Sequence, residues 1–422
     1  MIKTRTVVLS LDALGKEDEG LYEEEPALAR VLSEGARLRA VRSVTPTLTY
    51  PAHATIITGR SPSSHGIVNN TKVQPSRAVP DWFWHSRDIK GDTLFRAARR
   101  QKMKVGAVLW PVSAGARIHW NLAEIWPHRP WQTQATVTLA NSTKTFAIRM
   151  AKKYGDLLDG IQQPQLDQFA HACATEILEK EDFDLLFVHY TDIDAHKHRF
   201  GTKAPEVKEA VTRTAQKVGE VIRTLEQRGL YESTNLILLS DHSQRDIRRA
   251  LRINQVFYRH ALLDARGDRI TDWRAYASSC EGSCYVYIDK KDPQLLPFVR
   301  ELLEDIRRIH GGIDRIHTRE QAVAAGGDPD CAFYLTAEKG VVFSNGINGD
   351  IFGEMDKDYR ANHGYPPDLP NYEAMFAARG PAFRHTTVDT QVPMTDIGPT
   401  IARAAGLDLR GAQGSPVQEI LR

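Results

Sequence analysis

With 422 residues, 41% of them hydrophobic and 26% charged, the chain can bury a large core, and length alone suggests two or three domains. Lys and Arg number 55 against 53 Asp and Glu, a net charge of +2. That balance excludes a global field for gathering nucleic acid or an anionic membrane, so an anionic ligand has to be held by a local site. Of the four cysteines, Cys173, Cys280, Cys284 and Cys331, only Cys280 and Cys284 are close in sequence. One such pair without a second half reads as small buried residues in a reducing compartment rather than as a zinc site.

In chain order, the apolar run Thr6–Leu11 reads as a first strand. It is too short for a signal-peptide core or a membrane span and Asp12 ends it, so a cytoplasmic protein is expected. In Pro46-Thr47-Leu48-Thr49-Tyr50-Pro51-Ala52-His53, Pro51 fits a first helical position and Gly59 a C-terminal cap. The segment 75–135 holds six of the seven tryptophans, mostly core material, with room for one or two on a substrate-facing wall. Thr93, Leu94, Ala97 and Ala98 open a helix, and Val105–Leu109, Leu185–His189 and Leu236–Leu239 read as strands. Between the last two, Val207, Val211, Val218, Ile222 and Leu225 mark a helix over Pro205–Gln227. Residues 251–355 change character, with a strand at Cys284–Ile288, a charged helix from Pro293 to Ile309 and Gly-rich connections at 311–312 and 326–327. A final strand, Met375–Ala377, and a helix over Thr395–Ala405 close the chain. Apolar strands alternating with helices predict a doubly wound, mostly parallel α/β sheet. The expected division is a catalytic core in 1–250 and 356–422 with a small inserted cap subdomain at 251–355.

Ligands of such sheets sit beyond the carboxyl ends of the strands. Asp12, then Asp194 and His198, then Asp241 and His242 follow predicted strands, and His363 precedes the last one. Singly, an Asp there is more often a helix cap and a His more often structural. Together, three carboxylates and three imidazoles suit two divalent ions such as Zn²⁺ or Mn²⁺, which can clamp the attacking and leaving oxygens of a phosphoryl transfer. Thr49 at a helix N-terminus is the nucleophile candidate, since free N–H groups there favour a phosphoryl anion; taken alone, the segment reads more readily as a simple helix cap.

Thr49-Tyr50-Pro51, Thr58-Gly59, Ser64-His65-Gly66-Ile67 and Asn70 resemble the nucleotide pyrophosphatase/phosphodiesterase branch of the alkaline phosphatase superfamily. Asp194-x-x-x-His198-x-x-Gly201 with Pro205-Glu206-Val207, Ser240-Asp241-His242, His363-Gly364-Tyr365, and Met375-Phe376-Ala377 leading to Gly380-Pro381-Ala382-Phe383 follow in that family's order. The resemblance implies an alkaline-phosphatase-like sheet and a hydrolase acting on a small-molecule phosphoester. It implies one metal on Asp12, Asp241, His242 and Thr49, a second on Asp194, His198 and His363, and a covalent phosphothreonine. Asn70 and the Tyr50 N–H would bind the non-bridging oxygen. Three positions depart from the pattern: Leu48 replaces a frequent cation, Ser243 a glycine, and Tyr50 a frequent phenylalanine that could stack on a base or pack in the core. Asp192 and His196 repeat the i, i+4 spacing of Asp194 and His198; the distance to Gly201 favours the second pair. The rival reading is a phosphomonoesterase or a phosphonoacetate-hydrolase-like enzyme of the same superfamily. A metal-bound binding module without catalysis is the reading from another class, disfavoured because every ligand and the hydroxyl are present.

Overall fold

The computed structural model describes residues 3–77, 79–355 and 359–422. Its backbone is a nine-stranded sheet, built from β1 (Arg5–Leu11), β2 (Ala36–Arg42), β3 (Val105–Val108), β4 (Trp120–Leu122), β5 (Leu185–Tyr190), β6 (Thr234–Leu239), β7 (Ala374–Arg379), β8 (Thr386–Val388) and β9 (Val392–Pro393). The spatial order is β8-β2-β7-β6-β1-β5-β3-β4, with β9 also on β2. β1 lies at the centre, parallel to β5 and β6 along its length, with Ser10 opposite both His189 and Leu239.

Apolar alternation explains the two faces. Val8 of β1 enters one core with Ile56 and Ile401, whereas Val7, Leu9 and Leu11 enter the other with Val218 and Phe169. Helix α1 (Thr49–Thr58) lies on the first face; α2 (Asp192–Phe200) and α3 (Pro205–Gln227) belong to the second. The expected helix over Pro205–Gln227 occupies those residues.

The predicted strand Met375–Ala377 is present, and two features of the sheet go beyond the sequence reading. Met375–Ala377 lies within β7, which runs antiparallel to both β2 and β6 in an otherwise parallel sheet. β2 was not anticipated: Ala-Arg-Leu-Arg-Ala-Val-Arg reads as surface, and its arginines find partners such as Glu19 and Glu23 for Arg37.

Residues 251–355 carry an antiparallel four-stranded sheet in the order Ala275–Ser279, Ser283–Ile288, Phe333–Ala337, Ile313–Thr318, accompanied by the helix Leu296–His310. Pro293 opens a short 3-10 turn before that helix rather than the helix itself. The apolar cluster of this region includes Leu48, Tyr365 and Tyr372. Leu48, the departure beside Thr49, is thus a packing residue.

All four cysteines are buried and free of disulfides. Among the described residues no helix is long and apolar enough to cross a membrane.

Candidate active site

The strand ends converge as the parallel register requires. Asp12 follows β1, and the next residue, Ala13, holds φ 61°, a left-handed conformation that a non-glycine residue adopts at a cost. Two contacts hold it there: its N–H donates to Asp241 Oδ1 at 3.3 Å and its carbonyl accepts from Lys197 Nζ at 2.8 Å. Lys197 is buried and also pairs with buried Asp18 at 2.5 Å, tying α2 to the turn after β1. Ser240 Oγ donates to the Leu14 carbonyl at 2.6 Å and accepts from the Met375 N–H at 3.0 Å, fastening the Asp241-His242 turn between β1 and β7.

His363 reaches the site through the short pairing of Ala361–Asn362 with Arg245–Asp246. Gly364 follows at φ 82°, where a Cβ would lie 1.8 Å from the Cys280 carbonyl oxygen. The glycine of this His-Gly pair is therefore a close-approach residue. Ser243 is buried, and its Oγ would sit 2.5 Å from a Cβ at Gly15; room for the serine comes from the glycine opposite.

Helix α1 starts at Thr49, not at Pro51, which stands third in the first turn. Leu48 precedes it in extended conformation and has no side-chain oxygen to cap the helix; Pro51 has no N–H to cap, and the Ala52 N–H donates to the Leu48 carbonyl at 3.0 Å. Gly59 ends the helix at φ 63°, its N–H donating to the Thr55 carbonyl at 2.8 Å. Thr49 Oγ lies 3.1 Å from His242 Nε2.

Around that hydroxyl the structure brings together two groups of donors, Asp194 with His198 and His363, and Asp12 with Asp194 and His242; within each, the ligand atoms lie within 4.8 Å of one another. Asp241 adjoins the second group, its Oδ2 3.2 Å from His242 Nε2. Among the described residues, buried Asp12 Oδ1, Asp241 Oδ2 and His363 Nδ1 have no hydrogen-bond partner. Burial, then the neighbouring Asp241 and Asp194 carboxylates, push Asp12 well above the carboxylate range. Burial holds His242 down to about 3 and His363 well below its ordinary value, leaving neutral imidazoles with lone pairs to give. Unpaired buried carboxylates and neutral imidazoles facing one space are costly alone and fit divalent cations.

Asp192 and His196 point elsewhere. Asp192 takes a two-pronged contact from Arg213 of α3 at 2.8 and 3.1 Å and pairs with His196 at 2.9 Å. Gln244 instead holds Asp194, and His198 Nδ1 donates to the Ala361 carbonyl at 2.8 Å, leaving its Nε2 3.4 Å from Asp194.

Tyr50 and Asn70 differ from the expectation of two separate oxyanion donors. The Tyr50 N–H donates to Asn70 Oδ1 at 3.0 Å, so Asn70 Nδ2 is the donor left to face the cavity. The Tyr50 ring is 0% exposed and packs edge-on against Trp82 at 5.1 Å, which makes it a wall rather than a stacking platform. Trp82 and Trp126, 4.8 Å apart, line a cavity of about 810 Å³ that opens beside Thr49, Asp12, Asp194, His198 and His363.

The family model described as Type I phosphodiesterase / nucleotide pyrophosphatase matches residues 6–366. The chain belongs to that family. Human ectonucleotide pyrophosphatase/phosphodiesterase family member 5 is 24% identical over 415 residues, covering 94% of this chain and 74% of that protein. Human family member 1 is 26% identical over 228 residues, 51% of this chain; the match spans only about a fifth of that relative, 21% of its length. Among solved structures, murine member 5, as an inactive threonine-to-alanine variant in complex with AMP, superposes with a TM-score of 0.69 at 19% identity over 100% of both chains. This likeness fixes an alkaline-phosphatase-like fold.

Three residues of this family member's site lay hidden in the sequence. His53, one turn after Thr49, donates through Nδ1 to the Thr49 carbonyl at 2.8 Å and accepts from Ser10 Oγ at 2.9 Å; burial lowers it to about 3. His189 sits between two acceptors, Asp12 Oδ2 at 2.9 Å and the Leu109 carbonyl at 3.2 Å. Burial lowers its basicity, but Asp12 and Glu124 outweigh it, so His189 is raised well above its ordinary value. Glu124 completes the group from the cavity wall, 3.7 Å from His189. The i, i+4 spacing from Thr49 and the position near the end of β5 were the available signals.

Proposed function

We propose that this chain is a metal-dependent phosphodiesterase that opens a phosphoester of a small-molecule substrate through Thr49. The observation that carries the reading is the pair of donor groups around one buried hydroxyl: Asp194, His198 and His363 on one side, Asp12, Asp194 and His242 on the other. Asp12, Asp241, His242 and Thr49 would hold one divalent ion and Asp194, His198 and His363 the second, with Zn²⁺ or Mn²⁺ suited to this mixed O/N set. Bound there, the ions supply positive charge that makes the hydroxyl acidic and steadies the departing oxygen.

Thr49 Oγ, oriented by His53 through its own carbonyl, attacks phosphorus. A bond forms between Oγ and phosphorus as the ester P–O bond breaks, and the leaving alcohol takes up a proton. Asn70 Nδ2 is placed to donate to a non-bridging oxygen as negative charge builds. Water then attacks the phosphothreonine, releasing the Thr49 hydroxyl and the phosphomonoester. The murine relative inactivated by a threonine-to-alanine change and bound to AMP supports both the nucleophile and a phosphate ligand.

The carbon–phosphorus rival lacks support. A carboxylated phosphonate needs cations in the pocket, and among the described lining residues only Lys152 is Lys or Arg. The 251–355 region serves as a cap in this reading, since its Glu281 also lines the cavity. The test is one turnover screen on zinc- or manganese-loaded protein with an aryl phosphodiester, the matching monoester and phosphonoacetate. The diester should be favoured at least tenfold in kcat/KM; a tenfold preference for the monoester overturns the reading.

A further inference from the structure

We infer that Glu281 is a specificity-determining carboxylate of this site, turning away a phosphoryl group with two negative charges and admitting one with a single charge. This rests on the hydrolase reading above and names the residue that separates diesters from monoesters.

Glu281 stands at the tip of a hairpin in the 251–355 region, between the strands Ala275–Ser279 and Ser283–Ile288. The tip docks against His363 and Gly364. The Gly282 N–H donates to the His363 carbonyl at 2.9 Å, and a Cβ on Gly364 would strike the Cys280 carbonyl. Glu281 itself holds φ 64°, a left-handed backbone that glycine adopts more cheaply. Its N–H donates to Ser279 Oγ at 3.0 Å and its carbonyl accepts from the Phe343 N–H at 2.7 Å, so the backbone is pinned on both sides. The carboxylate accepts from Asn362 Nδ2 at 2.7 Å, and Asn362 Oδ1 in turn accepts from the His363 N–H at 2.8 Å. A carboxylate is thereby held to the neighbour of His363, on the wall of the cavity that Thr49 and Asn70 also line.

What this placement contributes is charge. Its reach shows at His198, which burial lowers and which Asp194, the Ala361 carbonyl and Glu281 raise. Glu124, a second carboxylate on the wall outside the proposed ligand sets, lies 3.7 Å from His189. The hydrogen-bond partner of Glu281, by contrast, is a neutral amide. Among the described lining residues there is no arginine, and the one lysine, Lys152, is an exposed residue of the helix Lys144–Tyr154. A phosphomonoester carries a second negative charge at neutral pH and above. In a diester an uncharged ester oxygen takes that place. Charges partly shielded from water act on one another over several ångströms without contact. The second charge of a monoester therefore meets Glu281 across the cavity, and a diester escapes that repulsion.

The experiment compares 4-nitrophenyl phosphate with methyl 4-nitrophenyl phosphate at pH 8, where the monoester is a dianion, on metal-loaded protein. Glu281→Gln keeps an acceptor for Asn362 and loses the charge. Glu281→Gly suits the backbone at this position and removes the side chain, so a folded variant is at hand if the glutamine is not tolerated. Each should lower the ratio of diester to monoester kcat/KM at least tenfold, through a rise in monoester turnover. A smaller change in the ratio, or a ratio lowered only by loss of diester turnover, overturns the inference. A merely structural role would slow both esters together and leave the ratio where it was. The ratio in the wild type tests the diesterase reading and its change on substitution tests Glu281, so the two failures are distinct. Turnover of neither ester removes the hydrolase reading, and binding then decides. Inorganic phosphate, titrated by calorimetry at pH 8, should bind at least tenfold more tightly to both variants than to wild type; equal binding overturns the inference.

Discussion

Thr49 stands at the first position of a helix with its Oγ 3.1 Å from His242 Nε2, so one substitution would remove both the proposed nucleophile and a proposed ligand. Thr49→Ala should lower kcat at least ~10³-fold, with Thr49→Ser retaining much more; near-normal turnover by the alanine variant would exclude the covalent route. Asn70 joins two roles, because Oδ1 accepts from the Tyr50 N–H while Nδ2 remains to donate. Asn70→Asp keeps the acceptor and loses the donor. If donation matters, Asp and Ala variants should both lose about 3 kcal/mol of transition-state stabilisation, read in kcat; an Asp variant close to wild type would reduce Asn70 to a positioning role. The neighbouring i, i+4 pairs separate by their partners. Asp194→Ala and His198→Ala should each remove one metal ion by elemental analysis. Asp192→Ala and His196→Ala, which break only the Arg213 cluster, should leave metal content unchanged.

Elements were legible in the sequence where burial is two-sided. Thr6–Leu11, Leu185–His189 and Leu236–Leu239 are apolar on both faces and could be read directly, and the carboxylates and imidazoles just past their ends stood out for that reason. The direction of Ala374–Arg379 was not legible, because a strand buried on both sides has the same composition whichever way it runs. His53 and His189 escaped notice because they lie inside elements, where a polar residue turned toward the site is indistinguishable from one satisfied in the core. His65 illustrates the second case and carries its own prediction. Its Nδ1 accepts from the Ile67 N–H at 3.1 Å, so Nε2 carries the proton and donates to Thr55 Oγ1 at 3.0 Å. Burial lowers it to about 3, whereas the unfolded chain titrates near 6.5. The unfolded state therefore binds more protons across that window, and stability falls as pH drops through it, by about 1.4 kcal/mol per pH unit for one such group. Urea unfolding at fixed metal concentration between pH 6.5 and 5 should give a visibly shallower slope for His65→Gln than for wild type; equal slopes would mean the imidazole titrates normally in the fold.

At the scale of the molecule, Asp12, Asp194 and Asp241 share one buried space, so removing divalent cations should cost global stability as well as turnover. Saturation at a thousand times Kd corresponds to about 4 kcal/mol for one ion. Exhaustive chelation should therefore lower Tm by about 4 °C or more, with zinc or manganese restoring both Tm and activity; an unchanged Tm would mean that the carboxylates are satisfied without metal. The order of the sheet bears on how such a molecule comes to exist. Ala374–Arg379 lies between Ala36–Arg42 and Thr234–Leu239, so strands made early remain two unjoined pieces until a strand made late slips between them. His363 arrives only shortly before it. A growing chain therefore lacks part of the second proposed ligand set until His363 is made, and until Ala374–Arg379 pairs it presents open strand edges to its surroundings. The stretch from Ala361 to Arg379 then joins the two pieces of the sheet and completes the proposed ligand set almost together, so that a chain with both proposed sites formed is one whose sheet is about to close.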